Sequence, residues 1–171
     1  MNRIGEHRTA LAWAHQLLDM VMADVTPEQA VWQPPGNANS LAATYAHAVA
    51  AEDGVVNVLL QGQAPLYETN WAGRTGISEP RWTSDPGWAR SVQVDLPAMR
   101  AYTGAVSANS EAFLDSLSEE DLDRTIDLTA MGLGQQSLSW CLSALVISHL
   151  NNMTGEISVL KGIQGSRGYP F

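Results

Sequence analysis

The chain has 171 residues, a formal net charge of −9, and nine lysines and arginines scattered along its length. Without a basic stripe to neutralise phosphates, nucleic acid and anionic membranes are excluded as main partners. Polar and charged residues interrupt every apolar stretch, which excludes a signal peptide and a membrane span. A chain of this length folds without disulfides, and its single cysteine, Cys141, indicates a reducing cytoplasm.

The first two predicted helices lie near the N-terminus. Apolar residues at helical spacing predict helix one over about Ile4 to Met22. Thr26-Pro27-Glu28-Gln29 has the capping-box pattern of a short helical turn. After Pro34-Pro35-Gly36, the pair Asn39-Ser40 is typical of a helix start, so we predict an alanine-rich second helix through about Leu60.

The next segment, residues 61–94, has no helical periodicity and is rich in Gly, Pro, Ser, Thr and Asp. A connection of this length without regular structure is uncommon in a compact domain and usually forms a lid or a crossover. Its tryptophans, Trp71, Trp82 and Trp88, either close the end of a helix bundle or hold a substrate. We favour the packing role.

Two more helices complete the pattern. Asp95 is a good N-cap for a third helix that continues to about Leu117, and Ser118-Glu119-Glu120-Asp121 starts another short capped turn. A glycine-containing loop at 129–136 precedes a fourth helix from about Ser137 to Ile163.

These segments predict an all-α fold, a four-helix bundle with a long crossover between helices two and three. We expect residues 1–171 to form a single domain. Any β-structure is expected only in the connections 61–94 and 124–136.

In the fourth helix, His149 lies where a metal-binding helix would present a pair of ligands. Positions four apart lie about 40° from each other and roughly 6 Å along the axis, but the second position holds Met153. A thioether suits Cu(I) better than Zn²⁺ or Ni²⁺. Asn152 could supply an oxygen ligand, and Glu156 could act as an outer-shell partner or as a catalytic acid or base.

Other ionisable residues carry a weaker signal. His7 and His15 lie about 80° apart on helix one, and we expect both on the surface. Glu52 and Asp53 are turned by at least 120° from the face of His47, so we interpret them as solvated side chains or interhelical partners. The sequence contains no glycine-rich phosphate loop, serine nucleophile elbow or Cys-x2-Cys motif.

The order and spacing of several motifs resemble those of the DinB-like superfamily of bacterial four-helix bundles, over nearly the whole chain. The supporting stretches are Trp32-Gln33-Pro34-Pro35-Gly36 with Ser40-Leu41, His47-Ala-Val-Ala-Ala-Glu52, Asp95-Leu96-Pro97-Ala98-Met99-Arg100-Ala101-Tyr102, Ser118-Glu119-Glu120-Asp121-Leu122-Asp123, and His149-x3-Met153-x-Gly155-Glu156-Ile157.

This resemblance implies a metal site made by one histidine of helix two and a His-x3-His pair of helix four. The first ligand then falls on His47, the second on His149 and the third on Met153. The resemblance also implies a thiol-dependent transferase or isomerase, or a metal-dependent hydrolase, with Zn or Ni as the possible divalent metal.

Two hypotheses follow. In the first, a pocket around His47 and His149 has lost, or nearly lost, strong metal binding. It binds a small ligand, or it activates a small thiol, with or without a metal, as a thiol transferase or hydrolase. In the second, the protein is a non-catalytic ligand-binding or structural bundle whose histidines remain from a lost metal site. Because the apolar, alanine-rich helices leave more than one face to cover, we also predict a homodimer.

Overall fold

Local capping interactions set the start of the first helices in the computed structural model, which describes residues 2–171. Helix α1 spans Arg3–Met22. The short helix α2 spans Pro27–Val31 and begins at the predicted capping box, in which Thr26 and Gln29 each bond the other's backbone.

The second long helix changes its hydrogen-bonding pattern along its length. Helix α3 spans Leu41–Asp53 and begins at Ser40, whose side chain accepts a hydrogen bond from the Ala43 backbone. The chain continues without a break into a π-helical segment, Gly54–Leu60, which brings the helical region to the predicted end. π-Helical turns are rare and occur frequently at functional sites.

The crossover between the second and third long helices contains regular structure, so the prediction of an unstructured connection is wrong in part. A 3-10 turn forms at Leu66–Glu68, and helix α4 spans Pro86–Ser91. The Asp85 side chain caps α4 by accepting hydrogen bonds from two backbone N–H groups. Trp88 of this helix is buried in the main core, in keeping with the packing role.

The third and fourth long helical regions follow the predicted bounds closely. Helix α5 spans Leu96–Ser116 and begins at the predicted cap Asp95. The fourth region consists of α6, Leu138–Cys141, a π-helical segment, Leu142–Ser148, and α7, His149–Ile163. The three pieces form one continuous helical path.

A small hairpin lies between these two helical regions. A 3-10 turn at Asp121–Asp123 leads into strand β1, Thr125–Leu128, which pairs antiparallel with strand β2, Gly134–Ser137. A second 3-10 turn, Thr129–Met131, joins the strands. This hairpin and an isolated bridge between Ile77 and Val94 fall essentially in the connections where β-structure was expected.

The long helices surround a shared core. Helix α7 packs against α3 and α1, and α5 packs against the same two helices. Tyr45, Met99 and Leu150 lie in the main core with no more than 1% exposure, and Cys141 is buried as expected. The prediction of an all-α fold is confirmed. None of the helices within residues 2–171 is long and apolar enough to cross a bilayer.

The predicted surface positions of His7 and His15 are wrong, because both residues are buried. Helix α1 contacts α5, α7 and the π-helical segment Leu142–Ser148, and His7 also contacts Ser139 of α6. The arc covered by these neighbours includes positions 80° apart. Glu52 and Asp53 are also buried, which excludes the solvated interpretation and leaves the interhelical one. Asp53 accepts a hydrogen bond from the Tyr102 hydroxyl of α5 at 2.6 Å.

Candidate functional site: a histidine pair beside an interhelical cleft

Helices α3 and α7 bring two predicted site residues into direct contact. The Nε2 atom of His47 lies 3.3 Å from the Nε2 atom of His149. The two ring centroids are 5.0 Å apart, and the ring planes are nearly perpendicular, at 89°. Both residues are partly buried. Two imidazoles separated by 102 positions in sequence therefore form one hydrogen-bonded unit that retains access to solvent.

Both imidazoles are neutral at pH 7. Burial, followed by the neighbouring His149, lowers the pKa of His47 to about 4. Burial also lowers the pKa of His149, but the carboxylate of Glu52 opposes that shift. His149 is consequently the stronger base of the pair.

The surroundings of His47 favour one tautomer. Its Nδ1 atom is buried without a hydrogen-bond partner among the described residues, and its ring lies in a T-shaped arrangement with Trp88 at a centroid distance of 6.5 Å. A buried N–H group without a partner costs free energy, so we assign the proton to Nε2 and the bare lone pair to Nδ1. In this assignment His47 donates to Nε2 of His149.

A second buried unit lies beside the pair and was missed at the level of sequence. Nε2 of His15 lies 2.8 Å from Oε1 of Glu52, and Nδ1 lies 3.4 Å from the more exposed Glu111. Although burial disfavours protonation of His15, its bonds to Glu52 and Glu111 outweigh that effect and raise its pKa. The sequence gives one indication of this contact: His15 and Glu52 lie among the apolar positions of α1 and α3.

The remaining predicted site residues occupy different environments on α7. Met153 is partly buried and packs against the main core, whereas Asn152 is exposed. Glu156 lines a cleft of about 810 Å³ that also includes Thr44, which precedes His47 by three residues. The cleft begins about one helical turn from the histidine pair, so the pair and Glu156 serve separate parts of this region.

The donor set does not fit a resident Zn²⁺ or Ni²⁺ ion. Two imidazole nitrogens 3.3 Å apart match two ligands of a tetrahedral ion with bonds of about 2.0–2.1 Å. However, residues 2–171 contain no group of three or more His, Cys, Asp or Glu side chains placed to hold an ion. Ligating histidines also donate from the second ring nitrogen to an acceptor, and Nδ1 of His47 has no such partner in the described part of the chain.

The protein is an all-α helical-bundle protein. Its long helices pack together, a crossover joins the second and third long helices, and a polar pair lies between α3 and α7. The chain belongs to the DinB superfamily, whose family model matches residues 10–156. The crystal structure of a conserved protein from Enterococcus faecalis is similar, with a TM-score of 0.80 and 21% identity over 97% of this chain and 99% of that chain. At this identity the similarity concerns the fold alone. Among curated proteins, none matches this chain.

Proposed function

We propose that the protein is a thiol transferase in which the His47–His149 pair activates a small thiol without a resident divalent ion. The observation that carries this proposal is the 3.3 Å contact between two partly exposed imidazoles. Helices α3 and α7 hold the two rings, so a neutral base is fixed in place before a ligand arrives.

The pair suits a thiol better than water. A free thiol has a pKa of about 8.5, whereas water has a pKa of about 15.7, so a weakly basic imidazole deprotonates the thiol far more readily than water. This difference favours thiol transfer over the hydrolysis that the family resemblance also suggested.

The chemical step uses the more basic histidine. The entering thiol displaces the Nε2–H group of His47 from the lone pair of His149, and the S–H proton moves to that Nε2 atom. The thiolate then forms a bond to an electrophilic carbon of the second substrate. The bond from that carbon to its leaving group breaks, and the leaving group takes the proton from the His149 imidazolium. His47 is a positioning residue, because its Nε2–H group holds the His149 ring in place until the thiol enters.

A second candidate function is structural. In this alternative, the hydrogen bond between His47 and His149 stabilises the packing of α3 against α7. Among residues 2–171, Nδ1 of His47 has no hydrogen-bond partner, so no contact there orients this ring for catalysis, which favours the structural alternative. The incomplete donor set around the pair agrees with it as well.

Imidazole ¹⁵N NMR with cysteine and glutathione separates the two functions, with their S-methyl derivatives as matched controls that lack the S–H group. If the proposal is right, the free thiols shift the His149 signal saturably, the S-methyl derivatives do not, and His149→Ala abolishes the response. No response at millimolar concentration would support the structural alternative, and an identical response to thiols and S-methyl derivatives would refute activation of the S–H group.

Metal analysis of untagged protein provides an independent test of the metal-free step. We expect Zn, Ni, Cu and Mn below stoichiometric amounts in the wild type, and a gain of Zn²⁺ in Met153→His, which adds a third imidazole one turn from His149. Stoichiometric metal in the wild type that is lost in His149→Ala would refute the metal-free mechanism.

A further inference from the structure

The cleft beyond the histidine pair has the size and lining of a small-molecule site. It lies between the loop 34–39, the start of α3 and the C-terminal half of α7, and its volume of about 810 Å³ is typical of such sites. Apolar side chains from both sides form most of its walls, namely Pro34, Pro35, Val159, Leu160 and Ile163.

The C-terminal segment supplies an aromatic wall. Gly168 packs so closely on α7 that a Cβ atom there would lie 2.7 Å from the Ser158 carbonyl oxygen, which requires glycine. This contact places Tyr169 at the cleft, with its hydroxyl near Gly155. The Tyr169 ring also stacks on Phe171, at a centroid distance of 5.7 Å and an interplanar angle of 16°.

One acidic group determines the charge of the cleft. Glu156 and Tyr169 are the ionisable residues of its lining, and Glu156 has neither an ion-pair nor a hydrogen-bond partner within residues 2–171. The apolar wall partly desolvates this carboxyl group and raises its pKa, although the residue is exposed at the rim. Arg90 lines a neighbouring cleft, and its guanidinium donates to the Gly36 carbonyl oxygen.

We propose that this cleft binds a small organic cation, with its ammonium group at Glu156 and its aromatic or aliphatic body between the apolar walls and Tyr169. Charge complementarity selects this class, because the lining offers a carboxylate and no basic side chain. An ammonium group beside an aromatic ring gains additional cation–π attraction. The inference goes beyond the proposed thiol chemistry and does not depend on the histidine pair.

Tyramine is a suitable probe, with tyrosol and 4-hydroxyphenylpropionate as matched compounds in which a hydroxyl or a carboxylate replaces the ammonium. In ¹H–¹⁵N NMR titrations of the full chain, we expect tyramine to shift the Thr44 and Gly155 amides saturably, and the two matched compounds to bind more weakly. Glu156→Gln is expected to weaken tyramine binding about five-fold, as for one partly exposed ion pair. Glu120→Gln, at an exposed acid outside the cleft, is expected to leave it unchanged.

Equal binding of all three compounds, or equal tyramine affinity in wild type and Glu156→Gln, would overturn the proposal. Light scattering identifies the competing occupant: if Ile163→Glu converts a dimer to a monomer, a second copy of the chain covers the cleft and the proposal is wrong. Loss of the thiol response in His149→Ala with tyramine binding intact would support two independent sites.

Discussion

At the scale of single residues, α1 places two buried histidines in opposite electrostatic environments. Nε2 of His7 contacts the Ser139 hydroxyl at 2.9 Å, and burial lowers its pKa. His15 contacts Glu52, which raises its pKa against the effect of burial. A raised folded-state pKa stabilises the protein below the unfolded value of about 6.5, and this stabilisation is lost as pH rises through the folded pKa. A lowered pKa has the opposite effect, with stability lost on acidification.

Glutamine substitutions at these two histidines should therefore have opposite pH dependences. We expect the loss in the free energy of unfolding caused by His15→Gln to be larger at about pH 5.5 than at about pH 8.5, because the charged pair with Glu52 forms at low pH. The loss caused by His7→Gln should be smaller at about pH 5.5, because the wild type then has to bury an imidazole that is protonated when unfolded. Urea unfolding of both variants and the wild type measures the two trends, and a common sign would refute the assignment.

The sequence predicted only some of these histidine contacts. The contact between His47 and His149 was predicted from the family resemblance, since each histidine falls on an expected ligand position. The burial of His15 was not predicted, because helical spacing gives the angle between two side chains but not the arc that neighbouring helices cover. The contact between His15 and Glu52 depends on which part of α1 the neighbouring helices cover.

At the scale of elements, neighbouring residues in the sequence determine where a helix starts, whereas packing against distant residues determines the hydrogen-bonding pattern of its interior. Ser40 and Asp95 cap helices within three residues of themselves, so the sequence predicts α3 and α5 well. The two π-helical segments were not predicted, because their hydrogen-bond register depends on packing against other parts of the fold. Gly54 begins the first of them, and a Cβ atom at this position would collide with the side chain of Trp82.

The close approach of Trp82 reverses the usual effect of a glycine-to-alanine substitution in a helix. Gly54→Ala is expected to destabilise the protein by about 1–3 kcal/mol, because the new methyl group overpacks a tight contact. Gly104→Ala in α5 is the matched control, since nothing lies within 4 Å of its added Cβ atom. This control should stabilise by about 0.5–1 kcal/mol. Urea unfolding that gives both variants the same sign would show that Trp82 can move away from Gly54.

At the scale of the whole molecule, the cleft depends on segments that are distant in sequence. The loop 34–39, helix α7 and Tyr169 meet only after the long helices have packed, and no local pattern marks their meeting. The fold class could be predicted from periodicity because each helix has its own apolar face. The cleft could not be predicted in this way, because its shape depends on the space that remains between the packed helices.

The predicted homodimer also belongs to this scale, and we propose Trp13 on α1 as its anchor. The residue is 47% exposed, and tryptophan is enriched in the energetic centres of protein interfaces. An interface there would use a helix that does not line the cleft, so the interface and the cleft can exist in one assembly.

We expect light scattering at micromolar concentration to give about twice the 18.4 kDa of one chain. Trp13→Glu should reduce the mass to that of a folded monomer, and Ile163→Glu should leave the dimer intact. A monomeric wild type would refute homodimerisation, and a dimeric Trp13→Glu variant would exclude this face of α1.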